Sequence, residues 1–87
     1  MTLAFTDAGW ESYLSWNGDR RAPKRIHSLI ADVQRNGHGG IGHPEQLSGD
    51  LAGWWSRRVD EKNRLVYRIS ADGTIEVAQC RGHYRDR

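Results

Sequence analysis

Along the chain the spacing of apolar residues changes character once, near Gly53. Before that point apolar positions recur every three to four residues, the period of a helix; after it they alternate, the period of a strand. Ile26, Leu29, Ile30 and Val33 carry the cleanest helical period and predict a helix that begins between Arg20 and Pro23 and stops at Asn36-Gly37. Pro23 requires that it lie in the first turn. Trp10, Tyr13 and Leu14 stand at i, i+3 and i+4 and predict an earlier helix with a buried aromatic face, flanked by Trp16. Thr6-Asp7 offers this helix an N-cap and a first-turn carboxylate, and Gly18-Asp19 ends it. Thr2 to Phe5 reads as a short opening strand.

Three further strands follow, Trp54 to Val59, Arg64 to Ser70 and Thr74 to Arg81, rich in Val, Ile, Trp and Tyr. Asp60-Glu61-Lys62-Asn63 and Ala71-Asp72-Gly73 join them at hairpin length, which predicts an antiparallel meander. In the middle strand Leu65, Tyr67 and Ile69 share one face, and Arg64, Val66 and Arg68 share the other. Two helices can cover only one of these faces. The pattern therefore predicts an α+β two-layer domain of order β-α-α-β-β-β, with both helices on one face of a mainly antiparallel sheet and an arginine-bearing face left open.

Composition narrows the possible functions. A chain of 87 residues suits a single domain, residues 1–87, whose small core leans on four Trp, three Tyr and one Phe. One cysteine, Cys80, allows no internal disulfide, and no signal peptide or long apolar run is present, so the expected setting is cytoplasmic with no membrane contact. The net charge is only +2, so affinity for nucleic acid must come from where charge is placed. Eleven of the thirteen basic residues are arginine, the side chain suited to bidentate contact with phosphate.

Some motifs dissolve on inspection. Gly37-His38-Gly39-Gly40-Ile41-Gly42 matches the G-x-G-x-x-G pattern of dinucleotide sites, but it follows a helix and runs into Pro44, whereas that fingerprint follows a strand and opens a helix. A flexible loop is the expectation. His38 and His43 lack the companions and spacing of a zinc site, so neither metal nor cofactor is expected. His27, beside Ile26, reads as a solvated boundary residue. Trp54-Trp55-Ser56-Arg57-Arg58-Val59 puts one Trp and one Arg on each strand face, an arrangement able to stack an unpaired base and hold its phosphate. Which Trp faces outward is left open. Glu45, Arg64 and the terminal pair His83-Tyr84 are unremarkable singly, but a carboxylate, a guanidinium, an imidazole and a phenol together meet the needs of one reaction.

The stretches Trp54 to Val59, Asn63 to Tyr67 and Cys80-Arg81-Gly82-His83-Tyr84 resemble the YoeB/Txe toxins. Trp10 with Tyr13, Leu14 and Trp16, the helix around Leu29-Ile30 and the segment Gly42-His43-Pro44-Glu45 extend the similarity to nearly all residues from 2 to 84. The resemblance implies a RelE-like fold, cleavage of messenger RNA in the ribosomal decoding site, a YefM-like antitoxin partner with a disordered tail, and a homodimer. Carried over residue by residue, it makes Glu45, Arg64, His83 and Tyr84 catalytic and puts Arg58 on the active surface. Arg57, Trp54, Trp55, Arg68 and Arg81 join Arg58 as expected RNA contacts. Ser48 stands where the family pattern has a lysine, and Arg85 to Arg87 extend past the usual end.

The chemistry these residues suit needs no metal. RNA carries its own nucleophile in the 2′-OH, so Glu45 as general base and His83 as general acid suffice for transfer, with Arg64 meeting the charge that builds on phosphorus-bound oxygens. Tyr84 would orient the phosphate or stack a base. The competing expectation is a non-catalytic module of the same fold that binds nucleic acid or an antitoxin.

Overall fold

The computed structural model describes residues 2–83. Five strands form one sheet in the order β1-β5-β4-β3-β2: β1 (Leu3–Phe5), β2 (Glu45–Gln46), β3 (Trp55–Arg58), β4 (Arg64–Ile69) and β5 (Ile75–Gln79). Strands β2 through β5 pair antiparallel, and β1 pairs parallel with β5. Two helices, α1 (Asp7–Leu14) and α2 (Arg21–Asn36), complete the α+β two-layer domain expected from the sequence. The strand that periodicity did not reveal is β2, whose two residues are polar and exposed and have no alternation to show.

The core lies between the helices and one sheet face. Ile26, Leu29 and Val33 of α2 meet Leu65 and Tyr67 of β4 and Ile75 and Val77 of β5, all fully buried. Burying each such aliphatic side chain is worth roughly 1.5–3 kcal/mol relative to exposure. Helix α2 ends where Gly37 enters the left-handed region at φ 63°. At its start the Asp19 carboxylate accepts from the N–H groups of Arg21 and Ala22.

Helix α1 is rotated from its expected orientation. Thr6 caps it, accepting from Gly9 N–H at 3.0 Å, but Trp10 and Leu14 are 48% and 51% exposed. The side turned inward is Gly9, Ser12, Tyr13 and Trp16, the same helical spacing begun one residue earlier. Gly9 explains the choice: a Cβ there would stand 2.1 Å from the Val77 carbonyl oxygen, so α1 approaches β5 more closely than any side chain permits. Ser12 Oγ accepts from Cys80 N–H, and Trp16 Nε1 donates to the Cys80 carbonyl. Trp10 instead stacks with Tyr13 and meets the edge of Phe5 on the outside of the helix.

Among the described residues neither α-helix covers the second sheet face, although the first turn of α1 borders it beside Trp54; the face carries Glu45, Ser56, Arg58, Arg64, Val66 and Arg68. Its middle is not bare, because Ser56 and Val66 are buried.

Gly9→Ala should force α1 away from β5 and cost about 1–3 kcal/mol or more, since the clash is with backbone that has no rotamer to yield. Urea denaturation measures the loss; an unchanged midpoint would mean that the close approach is not needed.

Candidate functional site

The register of the sheet puts two of the four expected catalytic residues, Glu45 and Arg64, on the open face. Glu45 of β2 lies opposite Ser56, and Ser56 opposite Val66, so the carboxylate occupies the same row as the buried middle of that face. Arg58 and Arg64 are direct cross-strand partners in the next row on this face. Two positively charged residues are thus set side by side on neighbouring strands. Glu45 and Arg58 are exposed and Arg64 is half-buried.

Backbone ties Arg64 to Gly82, the residue before His83. Arg64 N–H donates to the Gly82 carbonyl at 2.9 Å, while Gly82 N–H donates to Asn63 Oδ1 at 2.7 Å. His83 follows directly and is half-buried. The Arg64 guanidinium turns one nitrogen back to the Asp60, Glu61 and Asn63 carbonyls, at 2.7, 3.1 and 3.2 Å, which limits its swing. Asp60 in turn shapes that hairpin by accepting from the N–H groups of Lys62 and Asn63. Tyr84 and the extension Arg85 to Arg87 lie outside the described residues.

Arg57, expected to contact RNA, is instead interior. Its side chain is fully buried and all five N–H donors are spent inside the protein. Nε donates to Tyr67 Oη, Nη1 to Asp32 Oδ2 at 2.5 Å and to the Ile41 carbonyl, and Nη2 to the carbonyls of Gly37 and Gly39 at 2.7 and 2.6 Å. The glycine-rich segment thus wraps a guanidinium rather than hanging as a flexible loop. Gly40, at φ 107°, is needed there because a Cβ would stand 1.9 Å from Asp32 Oδ2. The hydrogen bond from Arg57 is the chief reason that the Asp32 carboxyl is held below its ordinary range, and Ile41 N–H and the Asn36 amide add to it.

The remaining expected RNA contacts divide between faces. Trp55 points to the helix side and stacks on His38, ring centroids 4.0 Å apart. Partial desolvation of the exposed His38 ring, with the nearby Arg57 charge, lowers its pKa from the usual histidine value. Arg81 also belongs to the helix side, lying over Trp16 at 4.4 Å and donating to the Ser15 carbonyl. Trp54 is the Trp of the open face, and Arg68 lies over it at 4.6 Å. Ser48 is exposed and leads into a short 3-10 helix, Gly49–Leu51. His27, expected to be solvated, is exposed but hydrogen bonds through Nε2 with Tyr13 Oη at 2.8 Å.

Asp32 and His38 were not anticipated as a pair of supports for this site. A signal existed for the first: Arg57 shares its strand face with Trp55 and Val59, so an inward arginine required an inward acid, and Asp32 lies between Leu29 and Val33 on the apolar side of α2.

Solved structures share the whole architecture. A YoeB/ParE toxin from Agrobacterium tumefaciens superposes with a TM-score of 0.92 at 43% identity, covering 97% of this chain and 100% of that one. A YoeB dimer and a heterotetrameric YoeB-YefM toxin-antitoxin complex, both from Staphylococcus aureus, each give a TM-score of 0.88 at 36% identity over 97% of this chain and 98% of theirs. Fold and sheet face together are those of small bacterial toxins. A Toxin YoeB from Streptomyces coelicolor is 48% identical over 85 residues, spanning 97% of this chain and all of that protein. The model of the YoeB-like toxin of bacterial type II toxin-antitoxin systems matches residues 5–84, and the chain belongs to this family.

Replacing Arg57 with leucine strands three loop carbonyls and a buried carboxylate, and should cost about 3–5 kcal/mol, the usual result of removing one member of a buried pair. Arg57→Lys should recover little, since an ammonium cannot span five acceptors in one plane; thermal denaturation checks both.

Acid should weaken the fold in two stages. His38 binds fewer protons folded than unfolded, so its contribution is complete above its ordinary value of 6.5 and fades as pH falls through its lowered one. Asp32 contributes fully above 3.8 and loses that contribution below it, in a range shared with Asp72, which the Ser70 hydroxyl and Thr74 push down to about 2. Urea midpoints measured against pH should show His38→Gln flattening only the first stage and Asp32→Asn only part of the second.

Proposed function

We propose that this toxin is a ribosome-dependent endoribonuclease that cleaves messenger RNA by transfer to the 2′-OH. The observation that supports the proposal is that strand register puts Glu45, Arg58 and Arg64 on the same face of the sheet, with Arg64 N–H bonded to the carbonyl of Gly82, the residue before His83. A carboxylate that takes the 2′-OH proton and an imidazolium that protonates the leaving 5′-oxygen are the two proton-transfer groups such a reaction needs. Arg64, its swing restrained by three carbonyls, supplies fixed positive charge where the phosphorane oxygens gain negative charge, the kind of preorganised contact worth several kcal/mol in a transition state. Arg58 opposite it holds the flanking phosphate, and Tyr84 orients the scissile group. Because the substrate brings its own nucleophile, the reaction calls for no metal-bound water, and the products are a 2′,3′-cyclic phosphate and a 5′-OH.

The antitoxin partner follows from the family. The Staphylococcus aureus relative assembles with YefM in a heterotetramer and is also known as a dimer. We infer that this chain likewise dimerises and binds a YefM-like antitoxin, whose acidic disordered tail covers the Arg58 and Arg64 corner and silences it.

Glu45→Ala and His83→Ala should each slow cleavage of ribosome-bound message by about 10²–10⁴-fold while leaving occupancy on the ribosome nearly unchanged. Full activity in either variant would remove that residue from the chemistry. If both variants and the wild-type protein bind programmed ribosomes but none cuts, the chain is a binding module of this fold.

Removing the 2′-OH from the scissile nucleotide should abolish product at that position without preventing binding, because arginine contacts to phosphate do not use the hydroxyl. Continued cutting at the deoxy position would mean that water attacks and that Glu45 has another role.

A further inference from the structure

Beyond the catalytic corner, the same open face carries a second aromatic and basic group with different surroundings. Trp54 precedes β3 and Arg68 lies on β4, four residues from Arg64 and on the same side of the sheet. The Arg68 guanidinium sits 4.6 Å above the indole centroid, and its Nε donates to Glu76 Oε1 at 2.6 Å. With Arg68 pinned between a ring beneath and a carboxylate beside it, its side chain remains 48% exposed. Glu76 offsets the charge of Arg68, which makes it a poor anchor for phosphate but leaves a fixed, flat, weakly hydrated plane.

We propose that the Trp54 and Arg68 pair is a stacking platform for one unpaired nucleobase of the RNA, separate from the phosphate contacts at Arg58 and Arg64. This rests on the reading of the open face as the RNA surface and deepens it. Unpaired bases stack on aromatic rings and on arginine planes alike. Arg68 is four residue steps along the strand from Arg64, roughly 13 Å, so the base belongs to a nucleotide about two removed from the scissile phosphate. Beside Trp54 a cleft of about 400 Å³, lined by Thr6, Asp7, Ala8, Leu51 and Ala78, gives that base and its sugar room. Charge argues for a base against an acidic peptide here. Glu76 cancels the charge of Arg68 and Asp7 lines the cleft, so an acidic peptide finds no net positive charge here, whereas a neutral base needs none.

The test is a cycle between protein and RNA. Programmed ribosomes carry a message with a 2′-deoxy scissile nucleotide, so that nothing is cut, and single abasic nucleotides are placed in turn up to three positions on either side. Trp54→Ala should weaken binding of the intact message roughly 5- to 150-fold, the range for loss of one base stack. One abasic position should cause a similar loss, and combining it with Trp54→Ala should add nothing further. Trp54→Phe should restore most of the affinity, and Arg68→Lys, which keeps charge but loses the plane, should resemble Arg68→Ala. Losses that add at every abasic position, or intact affinity in Trp54→Ala, would overturn the platform while leaving the catalytic reading untouched. Weakened antitoxin binding by Trp54→Ala with no coupling to any base would also overturn it, assigning the pair to the protein partner. Failure of the wild-type protein to bind the programmed ribosome at all would remove the parent reading and this one together.

Discussion

The placement of Glu45 on the open face depends on the ion pair of Arg57 and Asp32. A buried guanidinium is costly to desolvate, and the cost is tolerable only when every donor finds an acceptor. Here the acceptors come from α2, from the glycine-rich segment that follows it and from Tyr67 of β4. One side chain thus joins helix, loop and sheet. The loop so clasped continues through Gly42, whose carbonyl accepts from Arg58 N–H at 2.7 Å, and then into β2, which lays Glu45 beside Ser56. The pair therefore sets where the carboxylate of the open face lies, although neither member reaches that face. That an arginine was used rather than an apolar side chain fits a loop of glycines, which brings carbonyls but no side-chain area to pack.

The sheet divides its labour by strand alternation. On the helix side, Trp55, Arg57 and Val59 continue the core formed by Leu65, Tyr67, Ile75 and Val77. On the other side, Arg58, Arg64 and Arg68 stand at the positions between. A chain with a net charge of only +2 can in this way present a locally basic surface. The surface is graded, with facing arginines at the corner near Gly82 and an arginine matched by Glu76 at the other end. Phosphate suits the first environment and an uncharged group the second.

The two helices are held in place differently. Helix α2 is amphipathic and ordered around the core, whereas α1 is held mainly by its close approach to β5, by the Thr6 cap and by Trp16 beyond its end. Its larger apolar residues, Trp10 and Leu14, remain on the outside. Stability in α1 comes from proximity of backbone to backbone, which a glycine makes possible and a larger residue would forbid.

Periodicity was enough to read both helices, the three long strands, the helix-free face and the two-layer arrangement, because amphipathic spacing is a local property that burial of a single core enforces. The resemblance in Trp54 to Val59, Asn63 to Tyr67 and Cys80 to Tyr84 was likewise legible. What could not be read locally was the partner of each side chain. Trp10 and Gly9 are neighbours with the same claim to the inner side of α1, and the Val77 carbonyl across the interface decides for the glycine. Arg57 and Arg58 are the same residue type in adjacent positions, yet one is buried and one exposed. Strand alternation says that they must differ, but only the carboxylate of Asp32, 25 residues away, says which one can be buried. The two-residue β2 has no pattern of its own and exists because β3 offers it hydrogen bonds. Long-range contacts of this kind depend on which groups the chain brings together, and a desolvated charge or a backbone approach acquires its energy only once they have met.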